Sequence, residues 1–130
     1  MKKRVTGIGG IFFKAQDPKK LGQWYQQHLD IEIEAEATAS TFRWREKDNP
    51  EQTGATVWGL FPKETTYFGD KDRAFMINYR VENLEKLLEI LKSEGVQVVK
   101  PLVNTEQGRF AWIIDPEGNR IELWQAPVDY

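Results

Sequence analysis

Residues 5–18 read VTGIGGIFFKAQDP, and the fold follows from the way this stretch changes character at Asp17. Before that residue the side chains alternate between two faces, which predicts a strand over Val5–Ala15. Asp17 is a favoured N-cap, and Pro18 suits the first helical position. We therefore expect a helix to begin at Pro18, and apolar residues at helical spacing continue it to Leu29.

The pattern of this first half recurs in the second half of the chain. After the first helix, polar turns separate three predicted strands: Ile31–Ala37, Ser40–Arg45 and Ala55–Phe61. The second half is predicted to hold a strand, a helix closed by Gly95 and three more strands: Arg73–Val81, Asn83–Glu94, Val96–Val99, Arg109–Ile114 and Arg120–Gln125. When Ile11 is placed on Ile77, Asp17 falls on Asn83, so both helices begin in the same way.

Such a duplication predicts an α+β fold in which two βαβββ modules form curved mixed sheets around a concave pocket, with one helix outside each sheet. We expect a single domain over residues 1–130. Module one should span about residues 4–62 and module two about residues 73–126, with a linker at about residues 63–72.

Charge and composition exclude several classes of protein. The 130 residues include 18 Lys and Arg against 20 Asp and Glu, so the chain lacks the cationic excess that binds nucleic acids or anionic membranes. It has no cysteine, and its only histidine, His28, lies on the outer helix. No apolar run approaches the roughly 20 residues that span a bilayer. We expect a cytoplasmic protein whose partner is a small molecule.

Four stretches together resemble the glyoxalase, bleomycin-resistance and extradiol-dioxygenase superfamily, also called vicinal oxygen chelate proteins: Ile8–Pro18, Trp24-Tyr25, Phe75–Val81 and Asp115–Trp124. The resemblance covers nearly the whole chain, and its most specific part is the ending DPEGNRIELW. It implies that Glu122 occupies the position of an acid that is commonly a metal ligand, and it implies a homodimer.

The resemblance also implies where the other metal ligands would lie. Metal-dependent relatives usually carry histidine where this chain has Gly10 and Met76, and a fourth ligand in the region of Val57-Trp58-Gly59. None of these residues can hold a hard cation, whereas metal sites need about three or more protein ligands. We therefore expect no metal or other cofactor. A divalent metal held through Glu122, or a ligand set completed by another subunit, is the disfavoured alternative.

Strand parity predicts which side chains share the pocket with Glu122, because residues two apart point the same way. The predicted lining residues are Gly10, Phe12, Lys14, Thr56, Trp58, Leu60, Met76, Asn78, Arg80, Arg120 and Trp124. The residues predicted at the rim or wall are Trp44, Tyr67, Phe68, Arg109 and Trp112. Between these positions, Ile11, Phe13, Ile77 and Tyr79 should face the helices.

The predicted function is metal-free binding of an aromatic or amphipathic small molecule, similar to that of the antibiotic-sequestering members of the superfamily. One alternative is a lyase or isomerase that uses Glu122 as a base or metal ligand. Another is a dimeric domain with a vestigial pocket, in which the aromatic residues are ordinary core and Glu122 is held by Arg80 or Arg120.

Overall fold

The computed structural model describes residues 3–34, 36–70, 72–128 and 130. Its two helices are α1 Pro18–Leu29 and α2 Leu84–Ser93. Its strands are β1 Val5–Ala15, β2 Ala39–Arg45, β3 Thr53–Pro62, β4 Phe75–Val81, β5 Gln97–Val98, β6 Val103–Thr105, β7 Gly108–Ile114 and β8 Arg120–Gln125. The prediction of an α+β fold is confirmed. Neither described helix is long and apolar enough to cross a membrane.

All eight strands belong to one mixed sheet, in the order β2-β3-β1-β4-β8-β7-β5, with β6 beside β7. The first and last strands of each half pair in parallel, β1 with β3 and β4 with β8. The halves are joined by antiparallel pairing of β1 with β4. The two expected sheets are therefore continuous, and the resulting sheet is curved but unclosed.

The two helices begin with the same cap, as the duplication predicts. A side-chain oxygen of Asp17 accepts the backbone N–H of Lys20, and Asn83 accepts that of Lys86, both at 3.1 Å. These bonds satisfy N–H groups that have no partner within the helix. After α2, Gly95 adopts a φ of +82°, a conformation that side chains other than glycine rarely take.

The strand predicted at Ile31–Ala37 is wrong. Only an isolated bridge from Glu34 to Ala39 is present there, and Ala35 lies outside the described residues. The carbonyl of Glu34 instead accepts the N–H groups of Ala37 and Thr38, at 3.0 and 2.8 Å. These bonds close a turn, and the first half therefore adds two strands after its helix. In the second half, β6 was not predicted.

Helix α2 packs its apolar side on the sheet and forms the larger of two cores. Leu84, Leu87 and Leu88 contact Val81, Ala111 and Leu123, all of them buried. These leucines are the apolar positions that the helical spacing predicts. The packing of α2 therefore fixes which side chains of β4, β7 and β8 face the helix and which face away from it.

Replacing Leu84 by alanine should lower the free energy of unfolding by about 2–5 kcal/mol, because its fully buried side chain would leave a cavity. Leu29→Ala is the matched control. Leu29 lies at the end of α1 with 57% exposure, and its truncation should change stability by no more than about 0.5 kcal/mol. Urea denaturation of both variants measures the difference, and equal losses would contradict the assigned packing of α2.

Candidate functional site

Seven of the predicted site residues lie on the face of the sheet opposite the helices, called the concave face below. Phe12 is the cross-strand neighbour of Met76, and Asn78 that of Glu122. Such neighbours point to the same side of a sheet. Arg80, Arg120 and Trp124 share this face by strand parity.

The centre of the concave face is the buried carboxyl group of Glu122, which has 2% exposure. Its Oε2 accepts the hydroxyl of Tyr67 and, at 3.0 Å, the indole N–H of Trp112. Its Oε1 accepts Nδ2 of Asn78 at 2.6 Å. All three donors are neutral, and neither Arg80 nor Arg120 forms an ion pair with Glu122 in the described part of the chain. The alternative in which Arg80 or Arg120 holds Glu122 is therefore wrong, and neutral donors take that place.

Tyr67 reaches Glu122 from the segment that connects the two halves. Burial, together with the charge of Glu122 and the hydrogen bond to it, raises the pKa of the Tyr67 hydroxyl well above its ordinary value. Tyr67 therefore remains a donor throughout the physiological range. The neighbouring Phe68 packs with Phe12, Met76 and Trp112.

This connecting segment closes what was expected to be an open pocket. Glu122 and Asn78 each keep only 2% exposure beneath it. Tyr67 and Phe68 were predicted at the rim or wall, but Tyr67 contacts Glu122 and Phe68 packs on Phe12, Met76 and Trp112 at the middle of the concave face. Their position depends on contacts with residues that are distant in sequence. Strand parity could not predict it, because the connecting segment is not a strand.

Three aromatic rings form a line across the concave face, called the aromatic row below. Phe110 lies between Trp112 and Trp124, with ring centroids 6.4 and 5.9 Å apart and interplanar angles of 18° and 7°. Tyr67 meets the Trp112 end edge-on, and Tyr130 meets the Trp124 end in the same way. Phe110 was not among the predicted site residues, although it has the same parity as Trp112 in β7 and could have been found from it.

Each end of the aromatic row also carries a cation. Lys100 Nζ lies 4.3 Å from the ring centroid of Trp112, and the guanidinium of Arg80 lies 5.2 Å from that of Trp124. Arg80 lies as well 5.7 Å from Trp44, so that it contacts two indoles. This places Trp44 beside the site, in agreement with its predicted position at the rim. Burial lowers the pKa of Arg80, but a guanidinium keeps its proton in proteins.

The close approach of β1 to Asn78, Arg80 and Trp124 depends on Gly9. A Cβ at that position would overlap Oδ1 of Asn78, and it would lie 2.9 Å from Arg80 and 3.0 Å from Trp124. The missing side chain therefore lets three side chains from the second half reach across the first strand. A shift in the β1–β4 pairing occurs at the same place, between Ile8 and Gly10.

The placement predicted for Trp58 is wrong. Its cross-strand neighbour is Ile11, and its ring packs on Tyr25 of α1 at 4.9 Å and on Phe13 at 5.4 Å. The register pairs Phe12 with Gly59, so Trp58 faces the helix. Of the expected set Thr56, Trp58 and Leu60, none aligns with Phe12, and Val57 and Phe61 take the concave positions instead.

The placement predicted for Arg109 is also wrong. Its cross-strand neighbour is Gln125, whose side-chain oxygen accepts the backbone N–H of Leu84 at the start of α2. The Nη1 of Arg109 lies 3.5 Å from a carboxylate oxygen of Glu85 in the same helix. Arg109 therefore faces α2, whereas Arg120 stays on the concave side and donates to the carbonyl of Tyr67 at 3.4 Å.

The donors of this site do not fit a transition metal. No group of three or more His, Cys, Asp or Glu side chains that could hold an ion occurs among the described residues. The strand register makes Gly59 the first-half counterpart of Glu122, since Phe12 pairs with Gly59 as Asn78 pairs with Glu122. Glycine has no side-chain ligand, and both oxygens of Glu122 already accept hydrogen bonds.

The fold defines a class of protein in which two similar halves, each with one helix, share one curved sheet around a central site. A family model described as the Glyoxalase/Bleomycin resistance protein/Dioxygenase superfamily matches residues 7–123. The chain belongs to this superfamily, which confirms the resemblance carried by its sequence motifs. No curated protein matches the chain in sequence.

Several solved structures are similar to this fold. Methylmalonyl-CoA epimerase from Mycobacterium tuberculosis has 19% identity and a TM-score of 0.64, and the match covers 98% of this chain and 92% of that one. A Streptomyces coelicolor methylmalonyl-CoA epimerase variant in complex with 2-nitronate-propionyl-CoA has 14% identity, a TM-score of 0.67 and coverages of 95% and 99%. An NAD-dependent benzaldehyde dehydrogenase from Legionella pneumophila has 15% identity, a TM-score of 0.59 and coverages of 91% and 98%. At these identities the similarity shows the fold alone.

Tyr67→Phe should make stability less sensitive to alkaline pH. In the unfolded chain tyrosine ionises near pH 10, whereas folded Tyr67 keeps its proton to higher pH. The stabilisation of the folded protein by the protonated Tyr67 hydroxyl is therefore complete below about pH 10 and is lost as the pH rises further. Tyr67→Phe should lower the free energy of unfolding at pH 7 by about 1–3 kcal/mol, because Glu122 loses a donor, and should flatten the alkaline decline.

Urea denaturation at a series of pH values measures both effects. Tyr25→Phe, in the helix on the other face, is the matched control because it leaves the bond between Tyr67 and Glu122 intact. If the free energy of unfolding fell with the same slope at alkaline pH in wild type and Tyr67→Phe, burial and Glu122 would not raise the pKa of Tyr67.

Proposed function

We propose that this chain binds an aromatic or amphipathic small molecule on the concave face, along the aromatic row, without a metal ion. The observation that carries the proposal is the row itself, with Trp112, Phe110 and Trp124 in nearly parallel orientation. Trp112 and Trp124 are 5% and 3% exposed, so the row offers a ring to an aromatic ligand where the tyrosine at one end moves aside, and stacking then favours such a ligand beyond the apolar area that it buries.

The few polar groups beside the row support an amphipathic ligand. Arg80 lies against the Trp124 end, and Glu122 and Asn78 lie behind the Trp112 end. An apolar surface with a small number of placed polar groups is typical of small-molecule sites. Binding along the row requires an edge-on tyrosine, Tyr67 or Tyr130, to move aside.

Metal-free binding is supported by the donor set. Glycine and methionine occupy the histidine positions of metal-dependent relatives, and Gly59 is the counterpart of Glu122. A small molecule can therefore be held by stacking and hydrogen bonds, whereas the described residues offer no point where three side chains that bind metals converge. The homodimer implied by the resemblance remains a prediction.

A lyase or isomerase that uses Glu122 as a general base is the second candidate. The environment of the Glu122 carboxyl group favours it, because a carboxylate that is held by neutral donors and has no ion-pair partner among the described residues can accept a proton from a substrate. Tyr67 would have to leave Glu122 before a substrate C–H could reach it. Methylmalonyl-CoA is the compound to test first, since several fold neighbours are methylmalonyl-CoA epimerases.

The binding proposal predicts that Phe110→Leu weakens the binding of 2-naphthamide, a neutral amphipathic probe, by about threefold to tenfold, because it removes the middle ring of the row. Phe13→Leu is the matched control. Phe13 is also a half-buried strand residue, but it packs towards α1 against Trp58 and Tyr25. Its replacement should change the dissociation constant by no more than about twofold. Isothermal titration calorimetry measures both constants.

The same titration tests the absence of a metal. Prior dialysis against EDTA should leave the dissociation constant of 2-naphthamide unchanged, and elemental analysis should find no stoichiometric transition metal. Loss of binding after chelation would contradict metal-free binding. Equal weakening by Phe110→Leu and Phe13→Leu, or no saturable binding, would contradict a site on the aromatic row.

The enzyme candidate predicts exchange of the C2 proton of methylmalonyl-CoA with solvent. In D2O, Glu122 would take the proton from C2 and a deuteron would return to the same carbon. Proton NMR should then show the C2 signal disappearing faster with wild type than in buffer, and at the buffer rate with Glu122→Gln. A wild-type rate equal to that of buffer would reject methylmalonyl-CoA as a substrate.

A further inference from the structure

We propose that the Trp124 end of the aromatic row is a binding site for an aromatic monocarboxylate, with Arg80 as its anion-binding group, and that Tyr130 occupies this site when no ligand is bound. The inference rests on the proposed function, because it specifies the ligand class and the entry point of the same concave face.

Tyr130 has the two features of such a ligand, an aromatic ring and an oxygen acceptor. Its ring centroid lies 5.3 Å from that of Trp124 and 5.0 Å from the guanidinium of Arg43. Its backbone oxygen accepts Nη1 of Arg80 at 3.2 Å. One residue thus places an aromatic ring against Trp124 and Arg43 and an oxygen acceptor on Arg80, as an aromatic carboxylate would.

Cavities lie on both sides of Tyr130. One has a volume of about 490 Å³ and is lined in part by Arg43, Ser40 and Tyr130. The other has a volume of about 660 Å³ and is lined in part by Arg80, Thr6 and Tyr130. Tyr130 is common to the two linings, so its displacement would join them into one cleft that contains both guanidinium groups. Each volume alone is in the range of small-molecule sites.

Arg80 is available to a ligand anion. In the described part of the chain its side chain forms no salt bridge, and its hydrogen bond goes to a backbone oxygen. A ligand carboxylate would replace that single oxygen with two acceptors that can form two parallel bonds with the guanidinium, which strengthens the interaction. Binding can therefore compensate for the displacement of Tyr130.

The other charges in the two cavities limit the ligand to one negative group. The cavity beside Arg80 is also lined by the acids Glu46, Asp48, Glu51 and Glu82, with Lys3 as a further cation. The cavity beside Arg43 contains Glu32 and Glu34. These acids disfavour a phosphate or a dicarboxylate, whereas a single carboxylate bound to Arg80 lies against the two indoles.

The opposite end of the row is unsuited to the same ligand. There the edge-on ring belongs to Tyr67, whose hydroxyl is hydrogen-bonded to the buried Glu122. Lys100 lies over Trp112 at that end, but a carboxylate that displaced Tyr67 would be placed beside the carboxyl group of Glu122 and would remove one of its donors. The charge distribution therefore directs an anionic ligand to the Tyr130 end.

Calorimetric titration with 2-naphthoate and its neutral isostere 2-naphthamide tests the site. Tyr130→Ala should tighten 2-naphthoate binding by about tenfold, because the ligand ring no longer competes with the Tyr130 ring for Trp124 and Arg43. Adding Arg80→Gln to that variant should weaken 2-naphthoate by about tenfold, which corresponds to the loss of one charge-assisted hydrogen bond, and should leave 2-naphthamide within about twofold. The matched control is Arg109→Gln, since Arg109 pairs with Glu85 on the helix side and should have no effect on either probe.

The outcomes separate this inference from the proposed function. Circular dichroism of each variant checks folding, and Arg80→Lys, which keeps the charge but loses the paired geometry, should bind 2-naphthoate with intermediate affinity. If both probes bind equally well whatever residue stands at 80 and 130, the carboxylate site is wrong while binding on the row stands. If neither probe binds wild type or any variant, both proposals fail.

Discussion

The carboxyl group of Glu122 is buried where water cannot reach it, so its oxygens must find donors within the protein. Those donors come from three separate segments: Asn78 from β4, Trp112 from β7 and Tyr67 from the connection between the two halves. One side chain thereby ties together parts of the chain that are far apart in sequence. Removing Asn78 would leave Oε1 without a donor, and removing Tyr67 or Trp112 would leave Oε2 with one donor of two, so these bonds help to hold the connecting segment over the sheet.

The same hydrogen bonds orient the aromatic row. Trp112 donates its indole N–H to Glu122, which fixes the plane of its ring. Phe110 and Trp124 follow at small angles, and Trp124 is held in turn by its own N–H bond to the carbonyl of Gln107 at 2.8 Å. The row is therefore anchored by hydrogen bonds at both ends and packed in the middle. A surface fixed in this way can bind a flat ligand with little loss of side-chain freedom on binding.

Local patterns in the sequence predicted the elements whose causes are local. The caps at Asp17 and Asn83 and the apolar spacing of α2 gave both helices, and strand parity placed Asn78 correctly beside Glu122. Parity failed at Trp58 because it was applied without the register between β1 and β3, which depends on long-range pairing. Tyr67 was beyond such arguments, since it lies in irregular backbone and its contact with Glu122 spans 55 residues.

The error at Trp58 also reveals an asymmetry between the two halves. Phe12 pairs with Gly59 and Asn78 with Glu122, so the counterpart of Trp124 by strand register is Phe61 rather than Trp58. At each of these equivalent positions the first half is apolar or lacks a side chain, whereas the second half carries an acid, an amide or an indole. At these positions the polar chemistry therefore belongs to the second half of a duplicated fold, and the first half supplies packing. A symmetric metal site needs metal-binding side chains from both halves, whereas a stacked small molecule with one polar end needs polar side chains from only one half.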